Sequence, residues 1–224
     1  MHVTAEDAIQ DNAAWCDLVC RTHGLTGAAD EDAWSVPRRS PTWYPDAVTL
    51  RRDVDPAALL DRIDAGPGAS VKDSYADLDL SPYGFRILVD ADWIRRPPDP
   101  DAATMTPPDA APSLTPVTTP EALAAWAAAH GGGELFRPAL LTEPRVTVLA
   151  RLDGGVVAGG AILHRWELTV GVSNVFARTV PPEEIWAALP ATAPLVGYES
   201  GDDLAIAVEA GFRRAGPLRV WLRD

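Results

Sequence analysis

VGVSNVFARTVPPEEIWAALPATAPLVGYESGDDLAIAVEAGFRRAGPLRVWL, residues 170–222, is the stretch that decides the fold. Val170 to Phe176 is a short β-like run. A brief helical stretch follows from Glu183 to Leu189, then a second β-like run from Pro194 to Glu199. Asp202 to Ala210 reads as a helix closed by Gly211-Phe212, and Leu218 to Leu222 reads as a strand. Upstream, Arg145 to Leu152 and Val156 to His164 flank Asp153-Gly154-Gly155. Asp-Gly between two β-rich runs predicts a hairpin, because such a turn needs positive φ. Pro120 to Ala129 predicts a helix that stops at His130-Gly131, as a C-terminus prefers.

Working towards the N-terminus, Arg95 to Thr119 changes character. Eight prolines lie from Pro97 to Pro120. Fixed φ and missing amide donors there argue for a linker, set at residues 97–117, between a first half (1–96) and a second (118–224). The first half reads as a helix from Glu6 to Arg21, a strand from Ala47 to Leu50, a helix from Pro56 to Ile63 and a strand from Phe85 to Val89. The halves echo each other. Asn12-Ala13-Ala14-Trp15 matches Leu123-Ala124-Ala125-Trp126, and Tyr83-Gly84-Phe85-Arg86 matches Ala210-Gly211-Phe212-Arg213. Pro45 to Leu50 matches Pro144 to Leu149, and the order is kept, which predicts two copies of one α/β unit. In that alignment Lys72 to Asp79 stands where the second half has Tyr198 to Asp203.

Composition narrows the partners. Thirty-two acidic against nineteen basic residues give a formal net charge of −13, and the arginine pairs are scattered, so nucleic acid is disfavoured and not expected as a partner. The most apolar segment, Val146 to Leu163, is broken by Arg151, Asp153 and glycines, and no membrane span is expected. The N-terminus has no basic start followed by an apolar run, so the expected location is cytoplasmic. Lys72 is the only lysine, which arginine-favouring codon usage explains; with Asp73, Ser74 and Tyr75 it forms a polar cluster between apolar runs. That cluster is either a buried structural Lys–Asp pair or the lining of a cleft shared with the second half. Cys16, Cys20 and His23 share one helix face, but no second Cys/His cluster completes a metal site, so they read as buried packing and no metal is expected. Asp77-x-Asp79 and Asp90-x-Asp92 carry little weight in so acidic a chain. No Gly-x-Ser-x-Gly, P-loop or His-Glu-x-x-His occurs.

The element order of residues 118–224 and the Gly-Phe stop resemble the GCN5-related N-acetyltransferase (GNAT) fold. The resemblance implies an α/β (α+β) protein with a mixed, mostly antiparallel central sheet flanked by helices, extended by the repeat to two tandem GNAT-like halves. It implies transfer of an acyl group from a thioester, such as an acyl-CoA, to a small-molecule amine, with an acyl carrier protein as another source of the thioester. In the family the strand matching Asn174, Val175 and Phe176 pairs its backbone with the pantetheine arm. The phosphate loop that should follow is replaced by Arg178-Thr179-Val180-Pro181-Pro182-Glu183-Glu184. Two prolines delete amide donors and two glutamates oppose an anion, leaving Arg178 as the one cation nearby. The family's acidic tyrosine, four residues before the Gly-Phe, is here Ala207. Tyr198 and Glu199 are the nearest substitute pair, a phenol to donate and a carboxylate to deprotonate an amine; otherwise they are a packed strand end and a solvated acid. His164 is a further candidate base, or simply a hydrogen-bonded neighbour. The alternative function is a catalytically silent GNAT-like module for ligand binding or protein interaction. The terminal strand can pair within its own sheet or in a homodimer.

Overall fold

A computed structural model of the chain describes residues 3–99 and 113–224. The first half supplies α1 (Ala5–Thr22), β1 (Ala28–Ala29), β2 (Ala33–Ser35), β3 (Ala47–Thr49), α2 (Pro56–Leu60), β4 (Ser70–Asp73) and β5 (Phe85–Arg96). The second supplies β6 (Thr115–Pro116), α3 (Pro120–His130), β7 (Val146–Asp153), β8 (Val156–Trp166), β9 (Thr169–Ala177), α4 (Pro182–Ala187), β10 (Leu195–Glu199), α5 (Gly201–Glu209) and β11 (Arg213–Arg223). Among the described residues all eleven strands belong to one mixed, mostly antiparallel sheet in the order β1-β2-β3-β4-β11-β5-β10-β9-β8-β7-β6.

Local chemistry places most of these elements. The β7–β8 hairpin turns on Gly154 and Gly155, at φ 56° and 86°, as a tight turn of this hand requires. Thr119 caps α3 by accepting from the Ala122 amide at 3.2 Å, and Gly131 ends it in the left-handed region. Asp55 caps α2 in the same way, through the Ala57 amide. β11 begins at Arg213 rather than Leu218 and α2 ends at Leu60 rather than Ile63, and two further departures are larger. β5 runs on through Asp90, Asp92 and Trp93 to Arg96, well past Val89, because antiparallel partners on both sides hold it extended. Of the linker expected over 97–117, residues 100–112 lie outside the described residues. At its far end Thr115–Pro116 is a two-residue strand on β7, an edge position that tolerates proline.

The strand order reads almost the same from either edge. β3 and β4 are parallel neighbours, as are β9 and β10. The last strand of each half then crosses over: β11 pairs with β4, β5 pairs with β10, and β5 and β11 pair with each other at the centre. β11 is therefore interior, with no free edge for a second chain. Asp92 and Arg219 each stand eight residues beyond the glycine that precedes their strand (84 to 92; 211 to 219). Asp92 faces Glu199 and Arg219 faces Asp73, so Lys72-Asp73 and Tyr198-Glu199 occupy corresponding places.

α1 packs across β8, β9, β10 and β5 rather than on the short strands of its own half. With α3 it covers one face of the sheet, around Trp15, Leu18, Trp126, Val148 and Ile162. α4 and α5 cover the other, around Leu163, Trp186, Leu204 and Phe212. Trp126 is wholly buried, sits edge-on to Phe136 and Phe176 at 5.0 and 5.1 Å, and donates its indole N–H to the Leu149 carbonyl at 2.8 Å. Trp126→Ala should cost about 3–5 kcal/mol in a urea titration. A loss below about 1 kcal/mol would show that this layer is not the core.

Candidate functional site

β9 and β10 pair only at Val170–Leu195 and Gly171–Val196. Beyond that point they part, because each is held by its outer neighbour. β10 stays on β5 as far as Glu199–Asp92. β9 stays on β8 but takes an extra residue between Ser173 and Phe176, a bulge with Asn174 at φ 53°. Bulges bend a strand and leave ladder groups unpaired, and asparagine tolerates the left-handed backbone. The result is a notch with the backbone of β9 along one side and the end of β10 along the other.

A cavity of about 240 Å³ opens at this notch. Its walls come from both halves: Asn12, Trp15 and Cys16 of α1, Trp43 and Tyr44 of the β2–β3 loop, Lys72 of β4, Ser173 to Val175 of β9, and Tyr198 and Glu199 of β10. Trp43 stands at the rim, 63% exposed and at φ 74°, an unusual backbone state for a bulky residue. The Tyr44 hydroxyl accepts from the Trp15 indole at 3.0 Å and from the Asn174 amide at 3.3 Å, which ties the bulge to the first half. Burial pushes the Tyr44 phenol well above its ordinary range, so it stays protonated.

Glu199 is the carboxyl of this cavity, and its ionisation is strongly altered. Burial, and secondly the neighbouring Asp203 carboxylate, push its carboxyl up to about 8, against a lowering by the Ser200 backbone hydrogen bond. A carboxyl poised near neutrality at a cleft is suited to taking a proton from an amine. Tyr198 beside it packs edge-on to Trp93, at 5.7 Å. The same ring receives the Lys72 ammonium over its face, with Nζ 3.9 Å from the ring centroid. Lys72 does not pair with Asp73. Its Nζ donates to Asn12 Oδ1 at 2.8 Å, while Asp73 turns away to accept from the Leu78 amide at 2.9 Å and from those of Tyr75 and Asp77. Cys16 is no nucleophile, since burial pushes its thiol up to about 11.

The structure therefore gathers Tyr198, Glu199, Asn174 and Val175, and separates the remaining candidates. Phe176 points its ring into the cluster around Trp126 and His130. Arg178 donates to the Ala129 carbonyl at 3.2 Å, near the C-terminus of α3. His164 is buried under α1, its Nδ1 3.2 Å from Asp11 Oδ1. It lines a larger cavity of about 550 Å³ on the other flank of α1, away from the notch. Cys20 lies in the core, and His23 bonds the Leu135 carbonyl at 2.8 Å. Asp90 and Asp92 form ion pairs with Arg219 and Arg214. Among the described residues no group of three or more His, Cys, Asp or Glu is placed to hold a metal ion, and no helix is long and apolar enough to cross a membrane.

Sequence reasoning gave Asn12 and Trp15 no place in a site, whereas Trp43 beside Tyr44 falls in a loop-like position where aromatics can line one, and both line the cavity. One signal was available: Asp11-Asn12 interrupts the otherwise apolar inward face of α1, and polar residues in such a place need buried partners.

No family model matches the chain, and no curated protein matches it. Solved structures do. A GCN5-related N-acetyltransferase from Kribbella flavida superposes with TM-score 0.60 at 14% identity, over 97% of this chain and 95% of that one. A GNAT-family protein from Novosphingobium aromaticivorans gives TM-score 0.60 at 14% identity, over 96% and 99%. A conserved Staphylococcus epidermidis protein of unknown function gives 0.57 at 8%, over 88% and 92%. At these identities the likeness is one of fold, and it extends through both halves.

Proposed function

We propose that this chain, which has the fold of the GCN5-related N-acetyltransferases, transfers an acyl group from a thioester to an amine at the β9–β10 notch. The observation that carries the reading is Glu199, a carboxyl raised to about 8, at the edge of a cavity where two parallel strands part. In the proposed step the amine nitrogen attacks the thioester carbonyl. The C–N bond forms, the C–S bond breaks, the Glu199 carboxylate takes the proton lost by the amine, and the Tyr198 phenol protonates the departing thiolate. Solvent restores both groups. Holding the two substrates together supplies much of the rate.

The free backbone of β9 beyond Gly171 suits the arm of a pantetheine thioester, which pairs like a strand. A diphosphate fits less well. α4 begins at Pro182 behind Pro181, has no side-chain cap, and carries Glu183 and Glu184 in its first turn. Arg178 is already engaged with α3. The donor is thus read as a thioester held by its arm, from a CoA or from an acyl carrier. The near-palindromic strand order supports descent by duplication, with the second copy keeping the open notch and the first supplying Lys72 and Tyr44.

The test is thiol release and product mass with acetyl-CoA, longer acyl-CoAs and a carrier-bound acyl thioester, against a panel of amines. Thiol release that depends on the amine is expected. Arg178→Ala should change donor affinity less than threefold. Absence of binding and of turnover with every donor would overturn the acyltransferase reading.

A further inference from the structure

Lys72 is the single lysine of a chain that otherwise uses arginine, and it is buried at 3% exposure in the wall of the notch cavity. Its ammonium has three protons to donate. Among the described residues it makes one hydrogen bond, to Asn12 Oδ1, and one contact with a ring face, that of Tyr198. It makes no ion pair. The nearest acid in sequence, Asp73, faces the other side of β4 and spends its oxygens on the amides of Tyr75, Asp77 and Leu78. The acid that shares the cavity, Glu199, is not within ion-pair range of Lys72. With its carboxyl raised to about 8 it is largely uncharged at neutral pH.

A buried cation without a counter-ion is costly, and proteins seldom keep one unless something neutralises it. Neutral partners such as an amide oxygen and a phenol ring hold the ammonium in place without cancelling its charge. Lysine is also the apt residue for the space. It presents a compact point charge on a slim stem, whereas a guanidinium needs a planar set of partners.

We propose that the amine acceptor bears an anionic group, a carboxylate or a phosphate, which binds to Lys72 and thereby directs the amine towards Glu199. Lys72 is then a specificity-determining residue contributed by the first half to a reaction carried out on the second. The proposal rests on the acyltransferase reading for the fate of the amine, but not for the binding of the anion.

Because there is one lysine, protein grown with ¹⁵N-lysine carries a single side-chain ammonium signal, and that signal can be followed without any variant. The probes are 4-aminobutyrate, its carboxamide, and 3-aminopropylphosphonate, each titrated into the full chain with and without an acyl-CoA. Saturable movement of the Lys72 signal by the carboxylate or the phosphonate, and none by the carboxamide, is expected; the stronger of the two anions identifies which group the site takes. Calorimetry should show at least a tenfold loss of anion affinity in Lys72→Met and no change for the carboxamide, with thermal melts confirming that the variant folds. Equal binding of carboxamide and anions, no binding of either anion, or an unmoved Lys72 signal would overturn the proposal. Anion binding without acyl transfer from any donor would leave it standing and sink the acyltransferase reading instead.

Discussion

Replacing Glu199 with glutamine is expected to lower acyl transfer by about 10²–10⁴-fold, the usual worth of a positioned general base. It should also stabilise the protein in alkaline solution. Both effects follow from the same raised carboxyl. Activity needs the carboxylate, so the wild-type rate should climb with pH and level off above about 8. Stability runs the other way. A carboxyl whose folded pKa lies above its unfolded value binds its proton more tightly in the folded state. Its contribution is intact below about pH 4.5 and is lost as pH rises through about 8. The full span corresponds to roughly 5 kcal/mol by the one-unit conversion, and partial exposure of the residue brings the expectation down to a few kcal/mol. Asp11 and Asp73, also raised by burial, slope in the same direction, so the wild-type curve alone is no test. The difference between wild type and Glu199→Gln isolates the group. The groups around it are Asp203, Tyr198, Asp92 on the neighbouring strand and, across the cavity, Lys72, Cys16 and Tyr44, all unchanged by the substitution. Melting temperatures should coincide at pH 4.5 and diverge at pH 9, with the variant higher. Parallel curves would show that Glu199 titrates as an ordinary surface acid.

The C-terminal elements were legible because their signals are local. Asp153-Gly154-Gly155 needs only its own dihedral angles to become a turn, and Gly211-Phe212 ends α5 and seats Phe212 in the core whatever lies elsewhere. The order of elements after Thr118 was enough to indicate the fold. The crossing of β5 and β11 was not legible. It depends on pairings such as Asp90 with Arg219, 129 residues apart, for which no periodicity gives a sign. For the same reason β5 was read as ending near Val89, where its alternation fades between two acids that the structure uses as ion-pair partners. The candidate site was half legible. Tyr198 and Glu199 stand out as the end of the strand before the last helix, but the wall opposite them comes from α1, the β2–β3 loop and β4. Nothing near Tyr44 in sequence hints at Asn174, and nothing near Lys72 hints at Asn12. α1 carries its apolar stripe like any other helix, and the stripe does not say that it will meet β8, β9 and β10 as well as β5.

Gly171→Ala is expected to be among the most damaging single changes available. Gly171 is the last residue of β9 still paired with β10, and α1 crosses directly above it. A Cβ there would overlap the Asp11 carboxylate. Asp11 has little room to withdraw, since it is pinned between the Gly171 backbone and the His164 ring in a pair that is 6% and 3% exposed. Forcing the carboxylate off His164 breaks a buried hydrogen-bonded pair, which typically costs about 3–5 kcal/mol. In a chain of this size that is roughly a 10 °C fall in melting temperature. The cause can be separated from simple crowding of the strand. Asp11→Ala alone should be costly because it orphans His164, yet Gly171→Ala added to it should cost little more, since the clashing group is gone. The two changes are therefore expected to be strongly non-additive. Additive losses would mean that the added methyl offends the β9–β10 junction itself. The notch would then be set by strand packing around Gly171 rather than by the Asp11–His164 anchor that holds α1 across it.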